Sequence, residues 1–256
     1  MRSTHLEIGW LGLVASLFWA SGGMAQAQTS RLTPERAAPM FSAPVPVAEL
    51  PDPVREAVRN VVTAPTLSAI APAEDFCGPP AMYQWLLDHP DRAAVAWRRL
   101  GSPCLEITDR GAGCFGWEDK QGSDLRWETV HRSPTMRIWY AEGKAKPSLL
   151  LPTLPVRAVV VLHHGTYQDS TGRPRICHQA DLYLQTDSRT ATIIAKLLGP
   201  TTPRLTEQAV SQLQIFFSAL TRYVDRYPER AETLFFGDRP LGSATPATSD
   251  SAIVRR

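Results

Sequence analysis

The sequence predicts an α+β domain in which a curved antiparallel sheet of about five strands is flanked by an N-terminal helical pair and covered by a long C-terminal amphipathic helix. Three observations carry this reading. Apolar residues recur at helical spacing from Ala81 to Leu100 and change to a period of two after Gly101-Ser102-Pro103. Turn chemistry at Asp109-Arg110-Gly111, Gln121-Gly122-Ser123, Arg132-Ser133-Pro134 and Asp169-Ser170-Thr171-Gly172 then cuts the chain into strand-length pieces. Helical spacing returns from Thr202, where Leu205, Ala209, Val210, Leu213, Phe216, Phe217, Leu220, Val224 and Tyr227 form one continuous stripe.

Taken in order, the chain opens on an export signal. Arg2 and His5 lead a 13-residue apolar run from Ile8 to Ala20, closed by Gly22-Gly23 and the small-x-small triplet Ala25-Gln26-Ala27. This spacing predicts a signal peptide over residues 1–27, too short for a stable transmembrane anchor, and places the mature chain in the periplasm or outside the cell. Residues 28–73 read as a Pro-rich, mostly disordered tether, since ten prolines fall between Ser30 and Pro80 and proline serves neither sheet ladders nor helix interiors. One short helix is expected within it from Asp52 to Val62, with Asp52 as N-cap and Pro53 at the first helical position. The single compact domain spans residues 74–236. Its helical pair is broken at His89-Pro90, and its strands are expected at Leu105–Thr108, Leu125–Val130, Met136–Glu142, Ala158–His163 and Ile176–Gln185. Short connections favour antiparallel hairpins. A helix from Asp187 or Ser188 to Leu198 stops at Gly199-Pro200, the long helix ends at Pro228, and residues 237–256 read as a disordered tail.

Charge and cysteine content narrow the function classes. The chain carries 27 basic and 25 acidic side chains for a net charge of +2, with no concentrated basic face, so nucleic acid is not an expected partner. Four cysteines, Cys77, Cys104, Cys114 and Cys177, are disulfide candidates in an oxidising compartment and allow three pairings. A hairpin of the two N-terminal helices would bring Cys77 near Cys104, where a bridge would contribute on the order of 3 kcal/mol.

Several motifs suggest chemistry and fail on context. Gly111 to Gly116 matches G-x-G-x-x-G, but Gly122 follows too soon for the helix that would meet a pyrophosphate, so a glycine-rich hairpin turn is the better reading. Val159 to Gly165 resembles the strand and His-Gly loop of α/β-hydrolase oxyanion holes, yet no G-x-S-x-G elbow follows. His163 and His178 could share a face if their strands pair, which leaves a metal-dependent hydrolase as a third functional class, with His164 in the turn beside Gly165. His178, however, is in register with Ile176, Ala180, Leu182 and Leu184, so it reads as a hydrogen-bonded core or cavity-edge histidine. Glu118, Asp119, Asp124 and Glu128 crowd one hairpin with Lys120 and Arg126 between them, which reads as solvated turn charge. No catalytic residue, metal ligand or cofactor is expected, and the balance leans away from an enzyme.

The order helix pair, antiparallel strands, long C-terminal helix is similar to the helix-grip architecture of START-like carriers of lipids and hydrophobic ligands. More locally, His89-Pro90-Asp91-Arg92, Gly122-Ser123-Asp124, His178-Gln179-Ala180-Asp181-Leu182, Thr186-Asp187-Ser188 and Gln212-Leu213-Gln214-Ile215-Phe216-Phe217 resemble a family of uncharacterised secreted proteins from planctomycete-type bacteria. The sheet is rich in aromatics at Trp117, Trp127, Trp139 and Tyr140, and the last two must point to opposite faces. The leading expectation is a non-enzymatic exported protein that binds an apolar small molecule or lipid between sheet and C-terminal helix. Trp127, Tyr140, His178, Leu182, Leu213, Phe216 and Phe217 are the candidate lining. The alternative is an interaction protein of the cell envelope with a solid sheet-helix interior.

Overall fold

The computed structural model describes residues 43–119, 122–146, 153–187 and 202–237. The expected signal peptide, the first part of the tether, the helix ending at Leu198 and the tail beyond Gly237 lie outside the described residues. In chain order the elements are a 3-10 turn Val47–Glu49, α1 Asp52–Thr63, β1 Leu67–Ile70, β2 Glu74–Cys77, α2 Pro80–Asp88, α3 Pro90–Arg99, β3 Thr108–Gly111, β4 Cys114–Glu118, β5 Asp124–Arg132, β6 Met136–Ala145, β7 Leu154–Gln168, β8 Pro174–Thr186, α4 Thr202–Arg226, a second 3-10 turn Pro228–Arg230 and α5 Ala231–Phe236.

All strands pair antiparallel in one eight-stranded sheet of order β1-β8-β7-β6-β5-β4-β3, with β2 pairing β8 beyond β1. The α+β class and the helix-grip arrangement follow from the coordinates themselves: α4 lies along one side of this sheet, its buried Val210, Phe216, Phe217, Leu220 and Val224 in one core with Trp139, Leu162, Ile176, Ala180 and Leu182. Four of the five expected strands are present and longer; the one expected at Leu105–Thr108 lies three residues further on as β3, which shares only Thr108 with it, and β1, β2 and β4 add to them. Four-residue strands such as β1 and β2 carry too few alternations to be recognised before their partner β8 is known. The glycine-rich motif is the β3–β4 hairpin turn, where Gly111, Ala112 and Gly113 adopt φ of 83°, 53° and 75°. That left-handed run suits glycine and closes the hairpin without a helix.

Residues 43–73 belong to the fold, which corrects the tether reading. Pro51 precedes α1, and Val54, Val58 and Val61 recur on one face and are buried. With Leu50 they pack against Val130, Met136, Ile138, Tyr140, Val159 and Val161 on the side of the sheet opposite α4. Proline at the borders of this segment therefore delimits short elements instead of preventing them. Asp52 does not cap α1 through its side chain; it is the first helical residue and pairs with Arg55 at 2.5 Å.

A polar side chain docks α4 onto the sheet edge. Between β1 and β2 the ladder along β8 lapses at Pro72, and Gln214 of α4 fills the gap. Its Oε1 accepts from the Ala180 amide at 3.1 Å while its Nε2 donates to the Pro72 carbonyl at 3.1 Å. Gly78, just after β2, lies so near α4 that a Cβ would meet Thr221 Cγ2 at 2.5 Å. Pro228 does end the long helix, but α5 follows and tucks Leu234 and Phe235 into the same core. Arg99 holds it there by donating to the Thr233 and Leu234 carbonyls, both at 2.8 Å.

Candidate functional site

Alternation along β6, β7 and β8 sends every second residue toward α2 and α4. The register stacks three rows on that inner face. Trp139, Val160 and Leu182 form the first; Arg137, Leu162 and Ala180 the second; His164, His178 and Glu74 the third. The first row is apolar, whereas the other two bury an arginine and two histidines. Arg137 and His164 are each 1% exposed and His178 is fully buried.

The third row is a hydrogen-bonded relay. Glu74 Oε1 accepts from Ser218 Oγ at 3.1 Å and from Arg222 Nη2 at 2.5 Å, and its Oε2 lies 3.0 Å from His178 Nε2. Burial pushes the Glu74 carboxyl up, but the His178 hydrogen bond and the Arg222 charge outweigh it and hold the pKa below its ordinary value. The carboxylate can only accept, so we assign the proton to His178 Nε2. On the other ring nitrogen, Nδ1 lies 2.7 Å from the Tyr83 hydroxyl of α2. Burial, reinforced by the Glu74 charge, raises the Tyr83 pKa well above its usual value, so Tyr83 keeps its proton and donates it. Phe76 packs edge-on to His178 at 5.0 Å, sealing the ring.

Gln84 of α2 organises the second row. Its Oε1 accepts from Arg137 Nη2 at 3.3 Å, which turns its amide nitrogen toward His164 Nδ1, also at 3.3 Å. Asp88, at the end of α2, pairs with Arg137 and with Arg132 at 2.7 Å. Burial, with Arg137 and the other two histidines nearby, lowers the His164 pKa to about 4. His164 is therefore neutral at pH 7, with Nδ1 accepting from Gln84 and the proton on Nε2.

Six of the seven candidate lining residues come together. Leu182, Phe216 and Phe217 are buried in the inner core, His178 is buried beside it against Phe76, and Trp127 and Leu213 pack against it. Tyr140 does not join them. It lies on the opposite side, in the cluster covered by α1, and its hydroxyl donates to Glu142 at 3.2 Å. The reason is parity: Trp139 faces inward, so its neighbour cannot. The inner rings contact one another, with Trp139 stacked on Phe217 at 6.1 Å and Trp97 on Phe216 at 6.3 Å.

The histidine reading needs three corrections. His164, not His163, stands opposite His178. His163 points to the other face, where its Nε2 lies 3.7 Å from Asp181, so the His163/His178 metal pair does not form. Residues 163–165 are interior to β7 and not a loop, because β7 runs on to Gln168 before its turn. Among the described residues no three His, Cys, Asp or Glu side chains converge as a metal site would require. No disulfide joins any of the four cysteines, Cys77 and Cys104 included, and Arg175 instead donates to Cys77 Sγ at 3.4 Å. The acidic hairpin is turn chemistry: Asp119 Oδ1 accepts from the Ser123 amide at 2.8 Å, and Arg110 lies 3.8 Å from Asp124.

Sequence reading missed Glu74, Tyr83, Gln84, Asp88 and Arg137. Arg137 was open to discovery, since Met136, Ile138 and Tyr140 form one apolar face and Arg137 must share the other with Trp139. The α2 residues had no such signal, because a short helix that is apolar nearly all round does not announce which polar side chains point inward.

No protein-family model matches the chain, and no curated protein matches it. Among solved structures it is similar to a conserved protein from Geobacillus kaustophilus, at 11% identity over 62% of this chain and 97% of that one, with a TM-score of 0.43. A hypothetical protein from Helicobacter pylori matches at 12% identity over 64% of this chain and 94% of its own, with a TM-score of 0.39. Ara h 8.0201 matches at 13% over 62% and 99%, with a TM-score of 0.35. At this distance the functional reading rests on the geometry of the chain itself.

Proposed function

We propose that this chain is an exported, non-enzymatic binding protein that takes an apolar or lipid-like ligand between the inner face of the sheet and α4. The observation that carries the reading is the composition of that face. An aromatic and aliphatic wall surrounds a buried arginine and two buried histidines, and a core built for stability alone gains nothing from burying such groups. Binding sites have this character: mostly apolar, with a few placed polar groups that orient the ligand. The ligand enters by parting the Trp139–Phe217 stack. Native mass spectrometry and organic extraction of the purified mature protein test this directly. A co-purifying apolar molecule supports the reading; its absence, together with no response of tryptophan fluorescence to a panel of acyl lipids, sinks it. Export has its own test, since N-terminal sequencing of the mature protein should begin at Gln28.

A second reading is favoured by the same stacked rings. A filled interior is what an interaction protein of the cell envelope would have, and its partner would then be another envelope protein. Crosslinking in the native envelope with and without residues 28–42 separates the two. The deletion stops there because residues 43–73 contain β1 and α1.

A further inference from the structure

Among the described residues, the inner face carries three buried nitrogens without an acceptor: Arg137 Nε, Trp139 Nε1 and His164 Nε2. All three are donors. The arginine and indole nitrogens can be nothing else, and the Gln84 amide, oriented by Arg137, leaves the His164 proton on Nε2. They lie in three successive rows of the inner face, with Arg137 between Trp139 and His164. Trp139 and Arg137 are two residues apart on one face of β6, and His164 sits diagonally across from Arg137, because Leu162 is its direct partner and the His164 amide bonds the Thr135 carbonyl at 2.9 Å. Other unpartnered buried atoms are scattered. Trp85 Nε1 belongs to a ring stacked on His89 at 4.5 Å, and Trp117 lies in a separate cluster with Leu125, Ala145 and Val156. An unsatisfied buried donor is costly, so three in successive rows of one face call for an acceptor from outside the described residues.

Charge selects the ligand. Among the described residues, Asp88 is the carboxylate paired with both Arg137 and Arg132, so these two guanidinium groups share one negative charge. Donors without an acceptor, one net positive charge and an aromatic wall together define the complement. We infer that the ligand is an amphiphile with a carboxylate end, bound with that carboxylate against Arg137, Trp139 and His164 and its chain along Phe216 and Phe217. This rests on the apolar-ligand reading above and adds the head group to it.

The test uses the mature chain with dodecanoate and dodecanol as probes, titrated by calorimetry and tryptophan fluorescence. Dodecanoate should bind at least tenfold tighter than dodecanol, in keeping with a charge-assisted hydrogen bond. Trp139→Phe keeps the ring and removes one donor. It should weaken dodecanoate about tenfold and leave dodecanol unchanged. Arg137→Met should weaken dodecanoate further; because it also touches a buried ion pair, Trp139→Phe is the deciding variant. Equal affinity for acid and alcohol overturns the head-group assignment while leaving the apolar-ligand reading standing. A preference for the acid that survives Trp139→Phe overturns the location. Binding of neither probe overturns both readings.

Discussion

Arg137 and Asp88 show how unequal two halves of one ion pair can be. Arg137 is 1% exposed while Asp88 retains a quarter of its surface and a second partner in Arg132. Removing the carboxylate strands a buried cation, which costs on the order of 3–5 kcal/mol; removing the cation leaves Asp88 paired with Arg132 near solvent. Asp88→Asn is therefore expected to destabilise the fold more than Arg137→Met, as urea unfolding would show. His164 makes a second prediction. Its pKa falls from 6.5 to about 4 on folding, through burial first and then neighbouring positive charge. Between those values the unfolded chain binds a proton that the folded one refuses. Its contribution, on the order of 3 kcal/mol, is thus complete above pH 6.5, declines as pH falls toward 4 and is gone below that. His164→Gln should flatten unfolding free energy against pH between 6.5 and 4. The lowered carboxyl of Glu74 acts below its ordinary 4.5, so a residual slope there is expected to remain.

At the scale of elements, α1 and α4 grip the sheet from opposite sides, but by different chemistry. The α1 contact is aliphatic, through Leu50, Val54, Val58 and Val61, whereas α4 adds the Gln214 and Glu74 bonds to its aromatic stripe. Val58 is fully buried against the sheet, so Val58→Asp places an unpaired carboxylate in an apolar layer and should lower Tm by many degrees. A disordered tether would tolerate the same change silently. Long elements were legible in the sequence because a repeated period averages over exceptions. The β6 and β7 strands, the α2–α3 break at Pro90 and the extent of α4 all have enough residues to show it. The β1 and β2 strands do not, and their existence depends on β8, whose partners in sequence lie about a hundred residues away.

Among the described residues, helices cover the sheet on both sides, the larger core lying beneath α4 and a smaller one beneath α1, with Trp117, Leu125, Ala145 and Val156 in a separate cluster. No helix among the described residues is long and apolar enough to cross a membrane. A ligand held between the larger core and α4 would stabilise the fold by mass action, by about 2.7 kcal/mol at a hundredfold excess over Kd. For a folded unit of this size, saturating dodecanoate should raise Tm by roughly 5–10 °C, with dodecanol giving less, as differential scanning calorimetry would measure. The sequence by itself determined the α+β class, the antiparallel connections, the amphipathic stripe of α4, the buried register of His178 and the opposite facing of Trp139 and Tyr140. All of these are local periodicities, and periodicity is written in neighbouring residues. Only the tertiary structure decided that His164 and not His163 meets His178, that residues 43–73 complete the sheet and cover its far side, and that Gln84 and Asp88 join Arg137 above it. Those facts depend on strand register and on the docking of a short helix, where a shift of one residue exchanges the two faces and no single segment contains the answer.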